Sequence, residues 1–98
     1  MHEVKLELDG DNKGSFYLIE GNKQSGEMTV SISGKEITAY HTEVDPAAEG
    51  KGLAKIILNA MVEHAREHHL KVIPLCPYVH AQFKRHPEEY KDVWLKSK

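Results

Sequence analysis

The chain holds a single cysteine, Cys76, among its 98 residues. One thiol cannot close an internal disulfide, so a disulfide-stapled scaffold is excluded and a reducing, cytoplasmic setting is expected. Long apolar runs are missing as well. No stretch approaches the roughly 20 residues that cross a bilayer as a helix. Met1-His2-Glu3-Val4-Lys5 lacks the basic-then-apolar order of a secretory signal. Neither sign of charge dominates: the net charge is −2 and the lysines are dispersed, so the electrostatic footprint of a nucleic-acid binder is absent. Repeats, low-complexity tracts and linkers are also lacking. What is left is an ordinary globular composition, sized for one domain over residues 1–98 with one modest core.

Two hydrophobic periods divide the chain. Val4, Leu6 and Leu8 alternate with Lys5, Glu7 and Asp9, the period of a strand with one buried face. Asp9 to Gly14 reads as a turn, Ser15 to Glu20 as a second strand, and Gly21-Asn22-Lys23 as another turn. Met28, Val30 and Ile32 mark a third strand, Ser33-Gly34-Lys35 a tight hairpin, and Glu36 to Val44 a fourth strand. The period then changes. Leu53, Ile56, Ile57, Ala60, Met61 and His64 fall on one face of a helix running from near Lys51 to about His69. Leu70 to Leu75, centred on Val72 and Ile73, is a short fifth strand. A strand, crossover helix and strand in this order place the two strands parallel. Pro74 and Pro77 bracket Cys76 and stop regular pairing there. Tyr78 to Arg85 and a last turn opened by Pro87 complete a compact α+β chain.

The junction Glu49-Gly50-Lys51-Gly52-Leu53-Ala54 lies between the fourth strand and the long helix. Glycines there let backbone N–H groups approach an anion, and a helix start adds free N–H groups and about half a positive charge. A phosphate or pyrophosphate cradle is one reading, and a plain tight turn is the other.

These residues carry a resemblance. Four antiparallel strands, a glycine turn, a helix and a fifth strand resemble the acetyl-CoA-binding half of the GNAT acyltransferases, whose turn reads Gln/Arg-x-x-Gly-x-Gly/Ala. Gly52 and Ala54 match its last two small positions, and Glu49 stands where Gln or Arg is usual. His41-Thr42-Glu43-Val44, Val72 to Val79 with its Pro-Leu-Cys-Pro core, and Arg85-His86-Pro87-Glu88 resemble the small single-domain YjdJ-type subfamily over essentially the whole chain. The resemblance implies a GNAT-like fold in which the fourth and fifth strands splay apart. Acetyl-CoA would lie in that gap as co-substrate. Glu43, Val44 and Asp45 would line the pantetheine arm. Gly50, Lys51, Gly52, Leu53 and Ala54 would offer backbone N–H groups to the pyrophosphate, and Arg85 a phosphate contact. Lys51 and Lys55 are either further charges at that site or solvated helix residues, and Arg85 has the same two readings.

It also implies that Cys76 lies near the thioester. There it is either a thiolate nucleophile that relays the acetyl group or a small buried hydrophobe. Thiolate formation wants a base, for which His41 is the candidate. If Ile37, Ala39, His41 and Glu43 share a face, His41 and Glu43 point the same way. Direct attack by an amine, with His41 or Glu43 as base, is the rival route. His64 and His68 stand four apart, a metal-binding spacing, but further ligands are not evident and no metal site is expected. The expected function is an N-acetyltransferase acting on an amine, either a small molecule or a protein lysine. The alternative is a non-catalytic CoA-binding or partner-binding module. Neither nucleic acid nor membrane is an expected partner, and the oligomeric state stays open, with the edge of the fifth strand covered by the last helices or by a second copy.

Overall fold

The computed structural model describes residues 2–48 and 52–96. It contains β1 (His2–Leu8), β2 (Lys13–Glu20), β3 (Lys23–Ser33), β4 (Glu36–Val44), a 3-10 turn (Pro46–Ala48), α1 (Leu53–Glu67), β5 (Lys71–Pro74), α2 (Pro77–Arg85) and α3 (Pro87–Tyr90). The strands lie in sequence order in one sheet. β1 to β4 pair antiparallel and β5 runs parallel to β4, as the crossover pattern requires.

The turns explain the hairpins. Asp9 Oδ1 accepts the backbone N–H groups of Asp11 and Lys13, and Asn12 takes a left-handed φ of 61°. That closes the first turn two residues sooner than the composition suggests. Lys13 and Gly14 are strand residues, not turn residues. Gly14 sits between Leu8 and Val30, and a Cβ placed on it would stand 1.8 Å from the Glu7 carbonyl oxygen. Its glycine is therefore a requirement of close backbone approach rather than of turn conformation.

One face of the sheet is covered. Phe16, Leu18, Met28, Val30, Ile37 and Ala39 meet Leu53, Ile57, Leu58, Met61, Val62 and Ala65 of α1 in a buried core. Phe83 of α2 stacks on Tyr90 of α3 with centroids 4.6 Å apart and extends that core past β5. The Tyr90 hydroxyl is buried with no hydrogen-bond partner among the described residues. The opposite face carries no helix among the described residues, which leaves the molecule only 20 Å thick in its shortest dimension.

The outer edge of β5 is covered by the chain itself. Val72 N–H donates to Val93 O at 2.7 Å, Leu95 N–H returns to Val72 O at 3.0 Å, and Trp94 bridges Val72. Arg66 on α1 clamps this segment through Nε to Asp92 Oδ2 at 2.8 Å and Nη2 to the Glu89 carbonyl at 2.8 Å. The Arg66 guanidinium holds the Asp92 carboxyl below its ordinary range.

His64 and His68 stand side by side on α1, rings 4.2 Å apart, with His64 edge-on to Phe16. Burial lowers the His64 pKa, the neighbouring His68 lowers it further, and Glu67 opposes both.

Two outcomes follow from this packing. Gly14→Ala is expected to cost about 2 kcal/mol or more, because the opposing atom is backbone and cannot rotate away; urea denaturation measures it. A lowered histidine pKa means that the unfolded chain binds the proton better. His64 stabilisation is therefore complete above its unfolded value of about 6.5 and is lost as pH falls toward the folded value. His64→Gln should flatten the decline of the unfolding midpoint between pH 7 and 5.

Candidate active site

β4 is not one uninterrupted ladder. Val30 pairs with Ala39 and Thr29 with His41, so Tyr40 is an extra residue opposite no partner, a β-bulge. The side-chain phase reverses across it. Ile37 and Ala39 face the core before the bulge, whereas Thr42 and Val44 share the faces of Met28 and Gly26 after it. The expectation that Ile37, Ala39, His41 and Glu43 share a face is therefore corrected. His41 and Glu43 do point the same way, with Nε2 to Oε2 at 3.4 Å, but on the solvent face with both side chains exposed. Thr42 turns inward instead, and its Oγ1 lies 3.2 Å from Cys76 Sγ.

The parallel ladder is short. It spans Glu36–Lys71 to Ala39–Pro74, and Cys76 N–H adds one more bond to the Ala39 carbonyl at 2.8 Å. Beyond Ala39 no strand lies on that side of β4 among the described residues. Hydrogen bonding decides which groups are left there. Asp45 N–H donates to Ser25 O at 2.8 Å, so Glu43, two residues back, also turns its backbone to β3. Thr42 and Val44 then direct theirs into the open side. Cys76 lies at the vertex of this splay and is 2% exposed.

The start of α1 is open too. Gly52 has φ 72° and ψ 22°, and among the described residues no side chain caps the helix there and a Cβ on Gly52 would meet nothing within 4 Å. The N–H groups of Leu53 and Ala54 belong to the unsatisfied first turn. Glu49, Gly50 and Lys51 lie outside the described residues. Lys55, one turn into the helix, donates from Nζ to Gln82 Oε1 at 3.4 Å and stands 6.0 Å from the Tyr90 ring centroid, so it is tied to α2 rather than freely solvated. Tyr78, next to Cys76 in the fold, has its pKa raised chiefly by burial.

The GCN5-related N-acetyltransferase family model matches residues 15–93. The chain belongs to that family. Among solved structures it is similar to a GCN5-like protein from Staphylococcus aureus, with 35% identity over 98% of this chain and 90% of that one and a TM-score of 0.69. It shares its fold with the ribosomal-protein-S18-alanine N-acetyltransferase of Escherichia coli, at 18% identity and TM-score 0.62 over 67% of this chain. A third likeness, at 15% identity and TM-score 0.64 over 89% of this chain, is to the ribosomal-protein-alanine N-acetyltransferase of Brucella melitensis biovar Abortus 2308. The chain spans 43% of the Escherichia coli protein and 64% of the Brucella one.

Within this GCN5-related chain the expected residues fall into separate groups. Val44, Gly52, Leu53 and Ala54 border the open side of β4 and the helix start. Asp45 borders it by position, but its carboxylate accepts from Ala47 N–H and pairs with Lys23 Nζ, both at 3.0 Å. Glu43, Val44 and Asp45 also line a cleft of about 480 Å³ with Gln24 to Glu27 and Pro46. Arg85 is exposed at the far end of α2, beside a shallow groove formed with Pro77, His80, Ala81 and Lys84. Cys76 and His41 are not brought together. Thr42 escaped the sequence reading, although Val44 out of phase with Ile37 and Ala39 was a usable sign of the bulge.

A buried thiol against a threonine should react slowly with a thiol reagent. Cys76 is expected to be modified by a disulfide reagent at least about a hundredfold more slowly than free glutathione, the scale of a local opening of about 3 kcal/mol. Stopped-flow absorbance with and without denaturant measures it.

Proposed function

We propose that this protein transfers an acetyl group from acetyl-CoA to an amine by direct attack. The observation that carries this reading is the open edge of β4. Thr42 and Val44 turn backbone that has no partner among the described residues toward the side from which β5 diverges, and the start of α1 follows β4 in the chain. An extended amide chain can add to such an edge as a strand would. An anion suits the helix start, with Gly52, Leu53 and Ala54 as donors and Gly50 and Lys51 as further candidates. Lys55 and Arg85 add positive charge on the helical side. The family membership supports the same donor.

Bound there, acetyl-CoA would supply an activated thioester carbonyl. The chain's part is to hold that carbonyl near the vertex at Cys76, present β4 backbone N–H groups to its developing negative charge, and remove the proton of the attacking amine. His41 and Glu43, with Nε2 and Oε2 3.4 Å apart on the solvent face, are the base candidates that an incoming amine meets. Cys76 is buried, and its Sγ lies against the Thr42 hydroxyl, which is no base. This favours direct attack over an acetyl-cysteine relay. Acetyl-CoA is a cytoplasmic metabolite, and that setting belongs to the same reading. The acceptor is an amine, drawn from small molecules or protein lysines.

An acetyl-CoA titration followed by amide NMR should shift Thr42, Val44, Gly52 to Ala54 and Cys76; no shift at millimolar ligand would sink the proposal. In a transfer assay Cys76→Ala should keep the rate within about threefold, while His41→Ala or Glu43→Gln should lower it by about a hundredfold, the scale of general-base catalysis. A Cys76→Ala protein that binds acetyl-CoA but transfers nothing would assign the covalent route instead. Wild-type protein that binds CoA and acetylates no amine would leave a binding module.

A further inference from the structure

The outer edge of β1 has no partner among the described residues. Asp9 N–H donates to Lys13 O across the β1–β2 turn, and the register runs from His2–Glu20 to Leu8–Gly14. The odd-numbered residues of β1 therefore turn their backbone groups to β2. Val4, Leu6 and Leu8 turn theirs outward, the reverse of a protected edge. Their side chains lie on the core face, yet Leu8 is 37% exposed, one of few large hydrophobics left so. Lys5 and Glu7 are exposed on the other face and form no ion pair within the chain among the described residues.

We propose that a second copy of this chain pairs antiparallel with β1 about a two-fold axis at Leu6, joining the two sheets into one. The register follows from three conditions: outward-facing residues must pair with each other, apolar side chains must meet apolar ones, and opposite charges must face. With the axis at Leu6, Val4 lies opposite Leu8 of the partner subunit, and Lys5 lies opposite the partner's Glu7, each contact occurring twice. Leu6 then meets its own copy. An axis at Lys5 would set lysine against lysine and Glu3 against the partner's Glu7. An axis at Val4 would leave Leu8 outside the ladder. At the ends of the chosen register Glu3 comes opposite Asp9 of the partner subunit, but Asp9 Oδ1 is already turned into its own hairpin by two N–H groups. Opposed charge pairs and aliphatic pairs each favour an antiparallel register, and like charges disfavour it. β4 and its open side lie three strands away, so the pairing leaves the proposed acetyl-CoA site free in both copies.

Light scattering after size exclusion, with analytical ultracentrifugation up to millimolar protein, tests the pairing. The expected mass is twice the 11.1 kDa of the chain. Lys5→Glu, which sets like charges opposite each other, should weaken the dimer at least about tenfold, roughly 1.4 kcal/mol, and Lys5→Glu with Glu7→Lys should restore it. Both positions are exposed, and the circular dichroism of each variant checks that the fold persists. In the wild type, amide exchange at Val4, Leu6 and Leu8 should slow as protein concentration rises. A wild type that stays monomeric to millimolar concentration overturns the proposal, as does a dimer indifferent to Lys5→Glu. A Lys5→Glu monomer that the double swap fails to rescue overturns this register and with it the proposal.

Discussion

Tyr40 is one residue more than β3 can pair, and the site depends on that excess. Upstream of it, β4 presents Ile37 and Ala39 to the core and pairs with strands on both sides. Downstream, the same strand presents Thr42 and Val44 inward, sends His41 and Glu43 to solvent and, among the described residues, keeps a partner on the β3 side alone. Without the bulge, a uniform alternation would turn His41 and Glu43 into the layer occupied by α1, where two polar side chains would have to be desolvated. The bulge lets one strand serve the core with one half and the proposed ligand groove with the other.

The groove has a chemical polarity that follows from which layer supplies which wall. Helical residues give the N–H groups of the first turn of α1 and, beside them, Lys55. The sheet gives His41 and Glu43 on its bare face. On the proposed reading, donor and acceptor reach β4 from different sides, and among the described residues no helix covers the second face of the sheet. Cys76 marks where the two sides meet. Its backbone ties β5 to β4 through the Ala39 carbonyl, and its side chain fills the vertex beside Thr42. It is thereby part of the packing that sets the angle of the splay.

Much of this was legible in the residues because the relevant signals are local. The change from a period of two to a period of 3.6 between Val44 and Leu53 places the sheet, the crossover and the parallel fifth strand, and the alternation gives Glu36–Val44 its observed bounds. The misreadings share one origin. Gly14 reads as a turn residue because glycine usually is one; its real constraint is the Glu7 carbonyl across the hairpin. Likewise His41 inherits the face of Ala39 only if the alternation is unbroken, and a bulge is decided by pairing with β3 rather than by β4 itself. The helix begins at Leu53 because Gly52 takes a left-handed conformation, and it ends at Glu67 with His69 at φ 57°. Both ends lie within two residues of the periodic pattern.

The parallel ladder also sets an order of events in time. β1 to β4 are joined by short turns, so each pairing closes a small loop. Pairing β5 brings Lys71 to Glu36 across the whole of α1, and the lost chain entropy makes it the slower contact to form. The splay exists only once that contact is made, so the groove is completed after the meander that forms its floor. That four-residue ladder is held from the far side by Val93, Leu95 and the Arg66 clamp. A ligand that bridges β4 and the helix start would bind across this late-forming seam. It would therefore slow unfolding more than it speeds folding.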